Sequence, residues 1–385
     1  MLNSAKRSTW IMYLSNFLIY GYTGLYFCFM QLYLASQTGD SSAGIGILLS
    51  IGQGMAILAP LFWGIRADRA KRKKNVLLVM IAGATVSYCA IAFSSHYLWL
   101  AVSIACTMFF LSAFGSILDV IGMETASNYH VRYGRMRLMG MLGYGFVAFG
   151  LSFLIRDNIR VIFPVCAVFG VLCCICVRLM PNIKGHAHDK KIRQYSFFKD
   201  KNLLFLVLLL ATGQFAYGYY LNFFPNYLTE ELMAPSWIWG ANVLLTTLSE
   251  IPFFLRYEAL FSKWKLRKIL FTVLAGTVLR YLLLAVFTQE IAFLIIGAAT
   301  GVVSVSLLYC ANYYVNSHMD PAVKSSAQTF VYAAGLGVPR MLSGILGGLM
   351  TDLFGTRLSL VFCAAVTAAG LLLYAACGRK RFVQL

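Results

Sequence analysis

The chain alternates long apolar runs with short polar breaks, most of them basic. A helix that crosses a bilayer needs about 20 mostly apolar residues. Cutting at the breaks gives twelve such runs, at 10–34, 43–65, 75–95, 97–124, 137–155, 159–181, 202–227, 236–256, 268–287, 291–316, 325–350 and 355–377. The breaks have a consistent polarity. Lys6 and Arg7 precede the first run, Arg66 to Lys74 separate the second and third, and Arg132 and Arg135 separate the fourth and fifth. Further basic residues follow the sixth, eighth, tenth and twelfth. The alternate breaks carry only Arg156, Arg160 and Arg357, together with the acids Asp40, Asp157, Glu230, Glu231, Glu290 and Asp352. Basic residues collect on the cytoplasmic side of a membrane protein. The pattern therefore predicts an all-α membrane protein with twelve transmembrane helices and both termini cytoplasmic.

The longest interior break, 182–201, is polar and basic and divides the chain into six runs (1–181) and six runs (202–385). Two six-helix bundles around a midplane site are one common transporter architecture. The first run is too long for a secretory signal and has no small-residue cleavage site, so it reads as the first span.

Composition agrees with the pattern. Of 385 residues, 60% are hydrophobic and 12% charged, whereas soluble proteins average about 25% charged. The net charge of +18 is explained by the loops and implies no nucleic-acid partner. The ten cysteines lie within or beside apolar runs and read as small hydrophobes. His186 and His188 lie in the polar linker and read as solvated. There is no phosphate-binding G-x-x-x-x-G-K-[ST] loop and no nucleophile constellation, so neither an enzyme nor an ATP-driven pump is expected, and no metal or other cofactor is implied. Gly344 and Gly348 form a G-x-x-x-G that points to close helix packing.

Five charges in the apolar runs sit where the chain should be buried in lipid: Asp119, Arg137, Glu250, Arg280 and Arg340. Each costs about 2.5–3.5 kcal/mol at the centre of a spanning helix on insertion scales. Such charges face a bundle interior or a watery cavity, or pair with one another. Three arginines against two acids lean toward a ligand with a carboxylate or many hydroxyls. Asp119 and Arg137 are candidates for holding a polar solute, with a structural ion pair as the alternative. Glu250 precedes Pro252 by two residues, and Arg340 directly follows Pro339. Proline-interrupted spans point to the binding site of a transporter. Burial favours a neutral Glu250 and a nearby arginine favours an ionised one. A carboxyl balanced between the two can carry a proton, and a permanently ionised pair is the alternative. Tyr20, Tyr22, Tyr26, Gln214, Tyr217, Tyr219, Tyr220, Asn222, Asn312 and Tyr313 are candidate cavity-lining residues, or else belt and packing residues.

Three motifs carry a resemblance. The break Gly64-Ile-Arg-Ala-Asp68-Arg69-Ala-Lys-Arg-Lys-Lys74 resembles the loop signature of the major facilitator superfamily, with Lys71 where a glycine is usual. Asp119, then Tyr133-Gly-Arg135-Met-Arg137, then Gly140 and Gly143-Tyr144 are similar to the helix 4–5 region of one group within it, the lactose permease, nucleoside and phenylpropionate proton symporters. Ser249-Glu250-Ile-Pro252 with Arg280 is similar to the same group. The resemblance implies a major facilitator fold in the plasma (inner) membrane. It implies proton-coupled uptake of a sugar, nucleoside or aromatic acid by alternating access, with the lipid bilayer and the solute as partners and no protein partner. It implies substrate binding by Asp119, Arg137 and Tyr144, proton coupling by Glu250 and Arg280, and gating by Gly64, Asp68 and Arg69, with helix capping and inside-positive topology as the alternative for the last two. Arg340 does not align with the basic residue of the permease's helix 11. It is a further substrate-binding candidate on its place in an apolar run beside Pro339. The chain departs from the permease in having no acid or histidine between Val302 and Val315 and no acid in the seventh run. Lactose itself is thereby disfavoured, and a shorter proton relay is expected. Proton-driven efflux is the alternative, weakened because the fifth run has glycines but no proline. A non-transporting membrane sensor is a further alternative, for which no soluble readout domain is visible.

Overall fold

The computed structural model describes residues 2–39, 41–156, 158–183, 200–263, 265–319 and 323–378. Most of the predicted linker 182–201, with His186 and His188, lies outside the described residues, as do Asp40, Asp157 and the basic stretch Arg379–Arg381. The described residues form helices and connections, with no strand among them. Eleven helical runs among them are long and apolar enough to cross a membrane. Phe93, Ile291, Leu353 and Leu372 are each 70% exposed or more, as expected of side chains that meet lipid rather than water.

The helices are α1 (Leu2–Thr38), α2 (Ser42–Arg69), α3 (Lys73–Ala90), α4 (Tyr97–Leu111), α5 (Phe114–Tyr129), α6 (Tyr133–Leu154), α7 (Ile162–Leu179), α8 (Lys201–Asn226), α9 (Ser236–Lys263), α10 (Leu266–Val286), α11 (Glu290–His318), α12 (Lys324–Phe330) and α13 (Val338–Leu373). Two places differ from the apolar pattern. The fourth predicted run is built from α4 and α5, broken at Ser112–Ala113 and together reaching Tyr129. The last two predicted runs merge into one of 52 residues, Ser326–Cys377. Within it Gly355 has φ 78° and ψ 164°, outside helical space, a conformation open to glycine because it has no Cβ. Between α12 and α13 the backbone winds as a π-helix, Val331–Gly337. Pro339 at the start of α13 cannot donate to a carbonyl one turn back, and the wider turn precedes it directly. Single π-turns of this kind recur at functional sites.

The chain groups into two compact units. The first comprises Met1–Asp40, Ile51–Asp189 and Pro235–Leu248, and the second Ser41–Ser50, Lys190–Ala234 and Ser249–Leu385. In the first unit α1 lies directly against α6. A Cβ on Gly143 would collide with the Phe17 carbonyl, and one on Gly140 with the Tyr20 ring. Glycines on α6 thus set the approach of the two backbones, as small residues do between spanning helices. The basic break after α2 is anchored by Lys73 and Lys74. Lys73 is 4% exposed and its Nζ lies 2.6 Å from Glu124 of α5. Lys74 donates to the Arg178 and Met180 carbonyls, each at 2.9 Å, closing the end of α7.

In the second unit α8, α10, α11 and the α12–α13 run bury Leu203, Leu206, Leu270, Leu307, Val315 and Val331. The first residues of α2 belong to this unit. Ser42, Gly46 and Ser50 face Gly344 and Gly348 so closely that a Cβ on Gly344 would strike Ser50 and Gly46, and one on Gly348 would strike Ser42 and Ala43. Ser50 Oγ donates to the Met341 carbonyl at 2.7 Å. Asp352 accepts the Ser42 and Ala43 amides at 2.8 and 2.9 Å, placing a carboxylate at a helix N-terminus, where the dipole favours it.

Candidate functional site

The first unit builds a polar cluster from α1, α5 and α6. Tyr20, Gly24 and Cys28 are spaced one turn apart on one face of α1, opposite Arg137, Gly140 and Tyr144 of α6. Gly140 leaves room for the Tyr20 ring, and Gly115 of α5 leaves room for its hydroxyl. Tyr20 donates to Asp119 Oδ1 at 3.3 Å, and Tyr133 also hydrogen-bonds Asp119. Arg137 lies 4.4 Å above the Tyr20 ring, with Nη1 3.4 Å from Asp119 Oδ1. The two charged side chains are 32% and 29% exposed. The pair is thus long and reachable, an arrangement in which a solute hydroxyl or carboxylate can displace one partner. Tyr144 lies two turns beyond Arg137 and accepts from Cys28 Sγ at 3.5 Å. The Cys28 carbonyl accepts the indole N–H of buried Trp239 at 2.8 Å.

The second unit builds another cluster, from α8, α9, α10, α11 and α13. Gln214 and Gly218, one turn apart on α8, both face Arg340. The Gln214 Oε1 accepts from Arg340 Nε at 2.9 Å and Nη2 at 2.7 Å, while a Cβ on Gly218 would press on the Arg340 backbone. Arg340 also lies 5.0 Å over the Tyr217 ring. Tyr217 stacks with Tyr220 at 6.3 Å, and Arg280 lies 4.7 Å over Tyr220. Arg280 is only 1% exposed. Its Nη1 donates to the Thr300 carbonyl of α11 at 3.3 Å. Glu250 of α9 is half-buried, and its carboxylate acts electrostatically on Tyr217, as do both guanidiniums. A cavity of about 10 Å³ borders Tyr217, Thr277, Arg280 and Tyr281, room for about one water.

The sequence candidates therefore fall in two places. Asp119, Arg137 and Tyr144 gather in the first unit, and Glu250, Arg280 and Arg340 in the second. Gly64, Asp68 and Arg69 occupy the last turns of α2, where Asp68 and Arg69 are exposed. Among the described residues neither of those two makes an ion pair, and the buried ion pair of this region is Lys73–Glu124. Pattern reasoning counted Lys73 as one loop charge among many, because nothing local marks which lysine turns inward. It named Tyr20 and Gln214 only as candidate lining residues. Here they are the direct partners of Arg137 with Asp119, and of Arg340. Among the described residues no group of three or more His, Cys, Asp or Glu side chains is placed to hold a metal.

Comparison with known proteins bears on family and fold. The MFS_1 like family model matches residues 9–362. The chain is 24% identical over 338 residues to the uncharacterized transporter YwbF of Bacillus subtilis (strain 168), covering 86% of this chain and 83% of that one. It is 23% identical over 374 residues to the maltose permease of Geobacillus stearothermophilus, covering 96% and 94%. The fold superposes on the crystal structure of a mutant of the nucleoside transporter NupG with a TM-score of 0.84, at 15% identity, covering 95% and 98%.

Proposed function

Because the chain belongs to the MFS_1 like family and is thus a multi-pass membrane transporter and not an enzyme, we propose that it takes up a small organic solute together with protons. The solute is a sugar, a nucleoside or an aromatic acid, moved by alternating access across the plasma membrane. The observation that carries this is the placement of the five charges of the apolar runs. They sit in two clusters of tyrosines and hydrogen-bond partners, where a polar solute is held more readily than in lipid. Names of relatives lend support: one is a maltose permease, and one solved neighbour is a nucleoside transporter. The break at Gly355 supports counting Ser326–Cys377 as two spans, hence twelve in all with both termini inside.

Asp119, Arg137 and Tyr144 of the first unit bind the solute, and Arg340 of the second unit is a further substrate-binding candidate. Glu250, tuned by Arg280, carries the proton. Pro252, two residues on, frees the Leu248 carbonyl within α9 and gives Glu250 a helix that can flex. Gly64, Asp68 and Arg69, in the last turns of α2, gate the inner side, with the Lys73–Glu124 pair close by in sequence. The test is uptake into proteoliposomes of labelled maltose, uridine and benzoate, with and without an outside-acid pH gradient. One class is expected to accumulate only under the gradient. Glu250→Gln is expected to abolish accumulation while leaving downhill exchange intact. Accumulation by Glu250→Gln equal to wild type, or uptake indifferent to the gradient, defeats the coupling.

A further inference from the structure

The helix α2 is continuous, yet it is divided between the two units. Its residues through Ser50 belong to the second unit and those from Ile51 onward to the first. A seam along α13 holds its start. Asp352, Gly348 and Gly344 follow one another at one-turn spacing on α13, as Ser42, Gly46 and Ser50 do on α2. Asp352 accepts the Ser42 and Ala43 amides at one end of the seam. Ser50 donates to the Met341 carbonyl at the other. Between them a Cβ on Gly344 or Gly348 would strike residues of α2, so the two helices touch through small residues. This seam is suited to parting and re-forming. Small residues have no long side chains to disentangle. Asp352 is exposed, so water can take its place at both amides. The next two amides of the first turn, of Gly44 and Ile45, are held by the Ser41 hydroxyl and carbonyl, each at 3.2 Å. The start of α2 thus keeps a cap of its own when Asp352 withdraws.

We propose that Asp352 is a gating residue, and that the seam it closes is an outer latch which holds the start of α2 on the second unit and parts when the outer side opens. The inference rests on the alternating access proposed above, and it adds a latch on the side opposite Gly64, Asp68 and Arg69. Alternating access rocks one body of a transporter against another. A continuous helix carried on both bodies must then release one of them or bend. The seam is the part of α2 that is attached by small residues and by hydrogen bonds that water can replace. Its outer placement follows from the loop charges, since Asp352 lies in one of the acidic breaks that alternate with the basic ones.

The experiment uses Ser50, 4% exposed at the far end of the seam, as a reporter. Ser50→Cys is placed in the full-length chain with the exposed Cys106 and Cys377 replaced by serine. The same chain without Ser50→Cys gives the background. A membrane-impermeant maleimide is applied to intact cells and, separately, to inverted vesicles. Labelling of a buried thiol follows the population of the open form, and Asp352→Ala is expected to raise the rate from outside by about fivefold or more. Asp352→Asn keeps one acceptor oxygen and is expected to raise it less. Thr356→Val removes a hydrogen bond to Glu231 in the same unit without touching the seam, and is expected to leave the rate as it was. An unchanged rate in both Asp352 variants overturns the latch, as does an equal rise in Thr356→Val or a rise confined to inverted vesicles. A second arm joins Ser42→Cys to Asp352→Cys in the same background with a short bifunctional thiosulfonate, which dithiothreitol releases. Uptake of labelled maltose, uridine or benzoate into proteoliposomes is expected to stop on joining and to return on release. Uptake that continues through a joined seam means that α2 bends instead, and overturns the latch. If Asp352→Ala exposes Ser50→Cys from outside while none of the three solutes is taken up by any of the proteins, the latch stands and the proposed solute classes fall.

Discussion

In the first unit a carboxylate meets the half-open Arg137, and in the second an amide meets Arg340. The Asp119–Arg137 pair is neutral as a whole, a third exposed, and long at 3.4 Å, so its members can trade each other for a ligand at small net cost. The Gln214–Arg340 contact is tight, at 2.7 and 2.9 Å. Arg280 is almost wholly enclosed. The same residue type thus does different work in each unit. Where it is half-open and neutralised it is an adaptable polar contact. Where it is enclosed, as Arg280 is, with the Thr300 carbonyl and the Tyr220 ring among its contacts, it is a fixed part of the packing.

The largest test of that contrast is Arg280→Ala. It removes a side chain 1% exposed and strands the Thr300 carbonyl and the Tyr220 ring. Breaking buried charge contacts of this kind costs about 3 kcal/mol. A clear fall in the melting temperature in detergent is expected along with loss of proton-driven uptake. An unchanged melting temperature would mean that Arg280 is not structurally enclosed. Gly143→Ala comes next. Its methyl would overlap the Phe17 carbonyl, and forcing α1 from α6 should cost about 2 kcal/mol, whereas the same change at Gly150, with open space around it, should leave melting unaffected. Arg137→Gln sharpens the comparison with Arg280. A pair this exposed contributes at most about 1 kcal/mol, so the variant should melt close to wild type yet lose transport. A stability loss matching that of Arg280→Ala would erase the distinction. The smallest effect belongs to Tyr20→Phe. It deletes one hydrogen bond to Asp119, worth about 1 kcal/mol, and keeps the ring under Arg137. A modest rise in the half-saturation concentration for uptake is expected, with Tyr20→Leu more severe because the cation–π contact goes too.

The sequence by itself determined the membrane class, most of the apolar runs, and the charges that need explaining. Those properties are local: hydrophobic length and loop charge act on each segment alone. The Tyr133-Gly-Arg135-Met-Arg137 motif and its helix 4 acid were enough to place Asp119 beside Arg137, because the two elements are neighbours in the chain. Other assignments required packing. That Lys73 rather than Asp68 or Arg69 carries the ion pair depends on how α3 meets α5. That Gln214 reads Arg340 across 126 residues, helped by Gly218 on one side and the π-turn before Pro339 on the other, is invisible to any window of sequence. The joining of the start of α2 to α13 through Asp352 and facing small residues was hinted at only by Gly344 and Gly348. Burial of a charge and the choice of its partner are decided by side chains that arrive from distant helices. They are therefore properties of the tertiary structure.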